Sequence, residues 1–481
     1  MRSLFVAIAC CAAAVAVSPA AEQIVTLGDS LTYAYEAEFG FEVNTLFGGT
    51  RGDGFGPEVR NWIEILNDPA YRNESFDLGA RDMMHLNFFF IYQYDVLFRH
   101  QFNWALPGLR IEELRAFLAG ETTFDDLVAA QPELNLFLGF SDLDTESDFR
   151  LVDLESQIQS EAERLVLFIG GNDARDVYGP IYSGSGAGAF VGDFVADAAE
   201  ILDRVQTLNP DLPIVLVNVP HVGITPDIRS SYPYDPIATG RVTEVMRDLN
   251  QQLAGLARSR GIGYADVFTP TLPLLDPTRD HCVHGIAFLN EGSVSGDLDY
   301  VWLNGEFSAN FHPNTNAQAS IANAVIDAFN ERYDTGIAPL SATDILGGSL
   351  GKTAQEIDMP FESWMACHGL DGLPGADDSD GDGVSAAVEF ATGLNPSLRD
   401  GGKIRSRLAG SAGSLFLELI YPIRLPSSSH VVLSATATTD PALPFVPLVP
   451  APTVAADGFA HALLPASGGR GFLRLEATVS P

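Results

Sequence analysis

Near the amino-terminus, residues 23–32 read QIVTLGDSLT. The first half contains a short apolar run, Ile24 to Leu27, of the kind that forms a buried strand in a parallel sheet. A glycine and an aspartate follow, and then Ser30 stands just beyond the point where the strand would end. Open α/β sheets bind their ligands at the carboxyl ends of the strands. The segment therefore predicts a first parallel strand that presents Ser30 at a functional edge.

Beyond this segment, apolar strand-like runs alternate with helical patterns. The predicted strands are Arg164 to Ile169, Ile214 to Val219 and Gly263 to Val267. The predicted helices are Val59 to Leu66, Phe194 to Leu208, Ile237 to Arg260 and Ala317 to Tyr333. Such alternation is typical of a parallel sheet covered on both faces. We therefore expect an α/β domain over residues 22–335.

The composition of the chain changes after this domain. Residues 336–404 are rich in Gly and Ser, include an acidic cluster, and read as a loop-rich linker. Short β runs follow at Ser414 to Ile423, His430 to Thr438 and Gly471 to Thr478. They predict a small all-β module of roughly 75 residues, at residues 405–481.

The charge of the chain excludes one class of function. Among 481 residues, 63 are Asp or Glu and 27 are Lys or Arg, which gives a formal net charge of −36. So few cations cannot form a basic face for nucleic acid. Hydrophobic residues make up 46% of the chain, which is ample for a packed core.

The first 20 residues read as a secretory signal peptide. Arg2 precedes an apolar run and a small-residue exit, so cleavage is expected after Ala20. The apolar run is shorter than the roughly 20 residues that a membrane anchor needs. We expect a secreted, periplasmic or cell-surface protein without a stable membrane span. Cys282 and Cys367 would remain after cleavage and could form a disulfide.

Four segments carry the chemistry. Ser30 taken alone could be a simple helix N-cap. Three further segments favour catalysis: NWALPG at 103–108 ends in Gly108, GGND at 170–173 contains Asn172, and FHPN at 311–314 contains His312. A serine, a glycine N–H, an asparagine amide and a histidine are what acyl transfer needs.

This ordered set of segments resembles the SGNH, or GDSL-type, family of esterases and lipases over residues 22–333. The resemblance implies that Ser30 is the nucleophile and His312 the general base. It implies an oxyanion hole formed by the N–H groups of Ser30 and Gly108 and the side chain of Asn172. It also implies a flavodoxin-like three-layer α/β/α sandwich and a carboxylic ester substrate, small or polymer-borne. No cofactor is expected in catalysis.

The sequence departs from the family at one position. The family usually has Asp three residues before its His, and this chain has Ala309 there. Glu306 could orient His312, the carbonyl of Ala309 could accept the Nδ1 proton, or the enzyme could be weak. The backbone carbonyl is favoured because Glu306 lies six residues from His312 along the chain.

Other candidate residues have competing interpretations. Gly79 is a second choice for the oxyanion glycine, because it lacks the context of Gly108. Ser349 lies in a G-x-S-x-G pattern, but no buried strand precedes it, so a flexible loop is expected. His221, His281 and His284 could be ligands, but surface or core histidines are more common.

The acidic cluster has the spacing of a calcium loop. Asp378, Asp380, Asp382, Val384 and Glu389 occupy positions 1, 3, 5, 7 and 12 of an EF-hand pattern. The surrounding residues also resemble the calcium-binding linkers of thrombospondin type 3 or dockerin kind. A structural Ca²⁺ is expected here, remote from the chemistry; the alternative is a solvated acidic turn.

The sequence thus predicts an exported serine ester hydrolase. The alternative is a non-catalytic binding or cell-surface adhesion protein on a degenerate hydrolase scaffold, since Ala309 replaces the usual acid. The class of ester stays open between acetylated sugars, lipids and thioesters, and so does the oligomeric state.

Overall fold

The computed structural model describes residues 22–35, 59–67, 76–88, 92–130, 144–145, 150–292, 297–303, 310–411, 414–424, 428–454, 459–465 and 471–479. The predicted signal peptide lies outside these residues, as do Glu306 and Ala309.

The strands, in chain order, are β1 (Glu22–Gly28), β2 (Phe76–Asp77), β3 (Arg81–Phe88), β4 (Tyr92–His100), β5 (Asp144–Thr145), β6 (Arg164–Phe168), β7 (Ile214–Val217), β8 (Gly263–Ala265), β9 (His281–Val283), β10 (Ile286–Gly292), β11 (Tyr300–Trp302), β12 (Arg405–Ser411), β13 (Ser414–Pro422), β14 (Val431–Thr438), β15 (Val446–Pro447), β16 (Thr453–Val454), β17 (Phe459–Pro465) and β18 (Phe472–Val479). The α-helices are α1 (Trp62–Asn67), α2 (Ile111–Leu118), α3 (Phe124–Ala130), α4 (Leu151–Ser160), α5 (Gly171–Tyr182), α6 (Phe190–Leu208), α7 (Pro226–Ser231), α8 (Pro236–Arg260), α9 (Thr315–Tyr333), α10 (Ala354–Ile357), α11 (Phe361–Cys367) and α12 (Ala386–Thr392).

A five-stranded sheet in the order β2-β1-β6-β7-β8 forms the centre of the first domain. Every neighbouring pair in it is parallel. Strands β1 and β6 pair over the whole predicted first strand, with Ile24 opposite Arg164 and Gly28 opposite Phe168. The predicted α/β fold is confirmed, and the predicted central strands β1, β6, β7 and β8 all lie in this sheet.

Alternate residues of the central strands supply two separate cores. On β6, Leu165 and Leu167 belong to one buried cluster, and Val166 and Phe168 belong to the other. The first cluster is completed by helices that include α4, α6 and α8, and the second by α1 and α9. A strand covered on both faces needs apolar residues at every position, which explains its continuous apolar run. The domain is a three-layer α/β/α sandwich.

Helix α1 starts later than the sequence pattern predicts. The prediction began at Val59, but the structure places the first helical residue at Trp62. Asn61 Oδ1 accepts the Glu64 N–H at 3.1 Å, and Glu64 Oε2 accepts the Asn61 N–H at 2.7 Å. This reciprocal pair caps the helix and fixes its first turn.

Strands β3, β4 and β5 form an antiparallel sheet, in which β3 and β4 are an insertion between β2 and α2, and β5 follows α3 in the chain. Strand β4 ends at His100 and leads directly into the predicted segment 103–108. The insertion therefore supplies the chain that enters the site region.

The carboxyl-terminal part forms two antiparallel sheets, β12-β13-β17-β16 and β15-β14-β18. Leu419, Ala462 and Ala435 from the two sheets share one small core. This confirms antiparallel β sheets at the carboxyl-terminus.

The segment between the two parts is more ordered than a loop-rich linker. It contains helices α10, α11 and α12, and Trp364 and Phe390 pack in its own buried cluster. The prediction of a flexible loop around Ser349 was wrong, because residues 343–349 form a π-helical turn. Ser349 is buried there, and its hydroxyl donates to the Asp344 carbonyl at 3.3 Å.

Several connections join this segment and the carboxyl-terminal sheets to the first domain. Cys282 on β9 and Cys367 on α11 form a disulfide, which the sequence had left open. The Arg424 guanidinium donates to the carbonyl of His284 at 3.4 Å, and the ammonium of Lys403 lies 2.7 Å from the Asp327 carboxylate on α9. In the described part of the chain, no helix combines the length and the apolar character needed to cross a bilayer.

Candidate active site

Ser30 lies on a tight turn at the carboxyl end of β1. The N–H groups of Thr32 and Tyr33 both donate to the Asp29 carbonyl at 3.0 Å, so the chain turns sharply around Ser30. The residue before this turn must be glycine. A Cβ on Gly28 would lie 2.3 Å from the Phe168 carbonyl oxygen on β6, closer than any real contact. The small residue lets the two strands approach and brings Ser30 to the sheet edge.

The carboxylate of Asp29 links the Ser30 turn to the loop after β6. Its Oδ1 accepts the Leu31 N–H at 2.9 Å, and its Oδ2 accepts the N–H groups of Gly170 and Gly171 at 3.2 and 3.1 Å. Asp29 is completely buried. Gly170 has a φ of 122°, a conformation that favours glycine, and this allows both N–H groups to face the carboxylate.

The segment carrying Gly108 extends the sheet beside β1. Backbone hydrogen bonds join Thr26 to Phe102 and to Trp104, at 3.0 and 2.8 Å. The Leu106 N–H donates to the Gly28 carbonyl at 3.1 Å, so the segment follows β1 to its carboxyl end. Gly108 then adopts a φ of +78°, in the left-handed region where glycine is preferred.

Asn103 holds this segment against the Ser30 turn. Its Nδ2 donates to the Thr32 carbonyl at 3.1 Å, and its Oδ1 accepts the Thr26 hydroxyl at 2.9 Å. Asn103 is fully buried. It therefore fixes the position of the Gly108 loop relative to Ser30.

The first turn of α5 holds the Gly108 loop from the other side. Asn172 Nδ2 donates to the Leu109 carbonyl at 3.1 Å. The Asp173 carboxylate accepts the Ile111 N–H at 3.3 Å. An amide nitrogen carries two hydrogens, so Asn172 keeps one for a ligand while the other fixes its position.

Two backbone donors are left available beside Asn172. Within the residues that the structure describes, the N–H groups of Ser30 and Gly108 donate to no acceptor. The competing glycine does not offer such a group, because the Gly79 N–H donates to Asp77 Oδ1 at 2.8 Å. The geometry thus favours Gly108 over Gly79 as an oxyanion donor.

His312 lies on the loop that leads into α9. Its ring makes an edge-on contact with Tyr35, at 6.3 Å between ring centroids. The Tyr35 hydroxyl donates to the Pro313 carbonyl at 2.8 Å. Tyr35 belongs to the turn that follows Ser30, so the histidine loop packs against that turn. Residues 304–309 lie outside the described part of the chain, so the roles of Glu306 and Ala309 stay predictions.

Gly171 is the point where three of the segments meet. A Cβ on Gly171 would lie 3.3 Å from Asp29 Oδ2, 3.6 Å from Phe311 and 3.6 Å from Leu31. The loop after β6, the Ser30 turn and the histidine loop are therefore in contact. Together with the Asn172 contact to Leu109, the structure brings all four predicted segments to one edge of the sheet.

One buried and one partly buried carboxylate support this edge. Burial raises the pKa of Asp29 to about 6, although its backbone hydrogen bonds lower it. Burial, together with the charge of Asp29, raises the pKa of Asp173 to about 7. The positive charge of Arg110 lowers the pKa of Asp173. Asp29, Asn103 and Asp173 were missed by the sequence analysis, although Asp29 and Asp173 directly flank predicted site residues.

The other candidate histidines have structural surroundings of their own. His221 is a core residue: its Nδ1 accepts the Gly223 N–H at 3.2 Å, and burial lowers its pKa to about 4. His281 and His284 lie beside the Cys282–Cys367 disulfide, where burial lowers the pKa of each to about 4.

The predicted calcium ligands also converge. Carboxylate oxygens of Asp378, Asp380 and Asp382 lie within 4.8 Å of one another. Asp382 forms a second such group with Glu389 and Asp400, and the sequence analysis did not identify Asp400. Val384 lies in the same loop and donates its N–H to Asp382 Oδ1 at 2.9 Å. These residues are the candidates for holding a cation.

Comparison with known proteins gives a family match over part of the chain. Residues 116–320 match the sequence model of the GDSL-like Lipase/Acylhydrolase family. The matched region includes Asn172 and His312, whereas Ser30 and Gly108 precede it. No curated protein is significantly similar to this chain in sequence.

Several solved structures are similar to this chain. One is an extracellular lipase from Streptomyces rimosus, with 15% identity, a TM-score of 0.30, and coverage of 64% of this chain and 100% of that chain. Another is phospholipase A1 from Streptomyces albidoflavus NA297, with 15% identity, a TM-score of 0.32, and coverage of 65% and 100%. A third is the lipase Lip_vut3 from a goat rumen metagenome, with 12% identity, a TM-score of 0.32, and coverage of 64% and 97%.

The raised pKa of Asp173 predicts a pH-dependent cost to stability. The folded state binds the Asp173 proton more tightly than the unfolded state does. This contribution to the free energy of unfolding is fully present below the unfolded pKa near 4 and is lost as the pH rises through the folded pKa of about 7. Asp173→Asn removes this titration. We expect the wild type to lose roughly 2–4 kcal/mol more than the variant between pH 4 and pH 8, measured by urea unfolding.

Asp176→Asn is the matched control, since Asp176 lies on the same helix but is exposed and paired with Arg110. Its pH profile should follow the wild type. If the free energy of unfolding of the wild type changed with pH in parallel with that of Asp173→Asn, the raised pKa of Asp173 would be contradicted.

Proposed function

We propose that this protein is an exported serine ester hydrolase that cleaves a carboxylic ester by acyl transfer through Ser30. The observation that carries the proposal is the hydrogen-bond frame around Asp29. It holds the Ser30 turn against the Gly170–Gly171 loop, and Asn172 holds the Gly108 loop in turn. The N–H groups of Ser30 and Gly108 and the second hydrogen of the Asn172 amide are the donors proposed for the oxyanion, as acyl transfer requires.

The proposed reaction uses these groups together with His312. His312 takes the proton from the Ser30 hydroxyl as Oγ attacks the ester carbonyl carbon. The oxyanion that forms accepts hydrogen bonds from the N–H groups of Ser30 and Gly108 and from the Asn172 amide. The alcohol leaves with the proton from the His312 imidazolium. Water then attacks the acyl group by the same steps, and the acid is released with Ser30 restored.

The family match supports this proposal at a general level. The GDSL-like Lipase/Acylhydrolase description fits ester hydrolysis without naming the ester. Export rests on the sequence pattern of residues 1–20. The alternative of a non-catalytic binding or adhesion protein rests on Ala309 alone, and direct activity measurements separate the two functions.

The proposal predicts that Ser30 is the reactive serine. Purified protein should hydrolyse a short-chain chromogenic ester, and Ser30→Ala should abolish that activity because no other group supplies the nucleophile. A fluorophosphonate probe followed by peptide mass mapping should label Ser30. Ser349→Ala is the matched control, since Ser349 is buried in a G-x-S-x-G pattern, and it should keep activity and labelling. Absence of turnover in a folded wild type would refute the proposal.

The proposed oxyanion hole predicts a specific effect on turnover. Asn172→Ala should lower kcat by about a hundredfold or more with little change in KM, because the donor acts on the transition state. Asn209→Ala is a matched control: Asn209 also donates to one backbone carbonyl, that of Ile158 at 3.0 Å, but lies remote from the site. Equal kinetics in the two folded variants would remove Asn172 from the mechanism.

The partner of His312 can be identified by two substitutions. If the Ala309 carbonyl orients the imidazole, Ala309→Asp should preserve or raise kcat, and Glu306→Gln should cost little. If Glu306 is the partner, Glu306→Gln should lower kcat by up to about ten-thousandfold. Measured kcat values for both variants decide between them. A collapse in Glu306→Gln with no gain in Ala309→Asp would contradict the backbone-carbonyl arrangement.

A further inference from the structure

Three carboxylate oxygens between residues 378 and 400 are buried without a hydrogen-bond donor. They are Asp380 Oδ2, Glu389 Oε1 and Asp400 Oδ1. Glu389 is only 1% exposed. Burying a carboxylate without a compensating partner is costly, so such an oxygen indicates a missing positive charge.

Glu389 and Asp400 both belong to a group of carboxylates whose spacing suits a cation. The ligand atoms of Asp382, Glu389 and Asp400 lie within 4.8 Å of one another, and Asp382 also belongs to the group with Asp378 and Asp380. Oxygens bound to one Ca²⁺ at about 2.3–2.6 Å are at most about 5 Å apart. The two groups share Asp382, and Asp400 belongs to the group that contains Glu389.

Asp400 reaches this cluster from outside the predicted loop. The Gly401 N–H donates to Asp382 Oδ2 at 2.5 Å, and Arg399 Nε donates to the Asp380 carbonyl at 2.8 Å. These bonds fold the chain back over the loop. They place Asp400 beside the end of the loop that Glu389 closes, although Asp400 lies eleven positions after Glu389 in the sequence.

Lys403 connects the cluster to the first domain. Its Nζ lies 2.7 Å from Asp327 Oδ2 on α9 and 3.7 Å from Asp400 Oδ2. Lys403 therefore lies between a carboxylate of the cluster and a carboxylate of the helix that follows His312. It is one of only two lysines in the chain.

We infer that Asp400 completes a Ca²⁺ site with Asp378, Asp380, Asp382 and Glu389, and that the bound ion strengthens the attachment of this segment to α9 through Lys403. Without the ion, Asp400 competes with Asp327 for the Lys403 ammonium. With the ion bound, the charge of Asp400 is neutralised and Lys403 is left to Asp327.

The donor set favours calcium over other cations. All the candidate side-chain ligands are carboxylates, and hard oxygen ligands are what Ca²⁺ and Mg²⁺ prefer. Ca²⁺ accepts six to eight oxygens in flexible geometry, whereas Mg²⁺ demands a nearly ideal octahedron. Five carboxylates drawn from a loop, a helix and a following turn suit the larger ion. The Cys282–Cys367 disulfide keeps the parts joined without the ion, so the ion changes stability rather than association.

The first experiment measures the site itself. Full-length protein freed of metal with EDTA is titrated with CaCl₂ by calorimetry. Wild type should bind about one Ca²⁺ at this site, and Asp400→Asn and Glu389→Gln should each weaken binding at least tenfold while retaining the wild-type circular dichroism spectrum. Asp371→Asn, which removes an exposed carboxylate nearby, should bind like wild type. Wild-type affinity in Asp400→Asn, or no calcium uptake by the wild type, would overturn the inference.

The second experiment measures the link to α9. Calcium should raise the Tm of the wild type by several degrees. Lys403→Met should keep calcium affinity within a fewfold but lose at least half of that rise, because Asp327 loses its partner. Lys352→Met is the matched control: Lys352 pairs with Asp299 elsewhere, and the rise should be unchanged. The same calcium-dependent rise in Lys403→Met would refute the link. Neither readout uses an ester, so both are independent of the proposed reaction.

Discussion

One buried carboxylate organises the candidate site. Asp29 accepts three backbone N–H groups, one from its own turn and two from a loop 141 and 142 residues away. Each buried N–H needs an acceptor, and a carboxylate offers two oxygens that can serve several donors at once. Ser30 has its position because the residue before it satisfies these donors. The strand pair, the serine turn and the start of α5 therefore depend on a single side chain.

This arrangement has an energetic cost. Burial raises the pKa of Asp29, and the nearby Asp173 is raised further still. Two carboxylates held close in a water-poor place oppose each other's ionisation. The fold accepts this cost because Asp29 and Asp173 fix two different loops, those of Gly171 and of Ile111. Raised carboxylate pKa values of this kind cluster at functional sites. The raised carboxylate pKa values and the proposed chemistry are found at the same sheet edge.

The acidic segment between residues 378 and 400 also brings carboxylates together, but their charge is compensated differently. There, the carboxylates of five residues gather in two overlapping groups, and the Lys403 ammonium lies 3.7 Å from one of them, that of Asp400. At the sheet edge, backbone N–H groups neutralise the carboxylates in part, whereas three oxygens of the acidic segment have no donor. A divalent cation supplies the compensation that the protein itself does not. A net charge of −36 makes such local compensation important, since few free cationic side chains are available.

The sequence by itself determined the elements that depend on local pattern. The central strands and helices, the four segments with Ser30, Gly108, Asn172 and His312, and the loop spacing from Asp378 to Glu389 are all readable because apolar periodicity and motif spacing are local properties. The start of helix α1 was predicted too early, because its cap is a side-chain interaction that apolar periodicity does not report.

Only the tertiary structure decided which groups became partners. It gave the Gly79 N–H an acceptor and left that of Gly108 available, it paired Cys282 with Cys367, and it placed Lys403 against Asp327, 76 residues earlier in the chain. These contacts join distant residues, and their energies depend on burial and on the absence of competing water. Burial and the exclusion of water are defined only once the two cores have packed against the sheet. The local sequence pattern therefore does not predict these contacts.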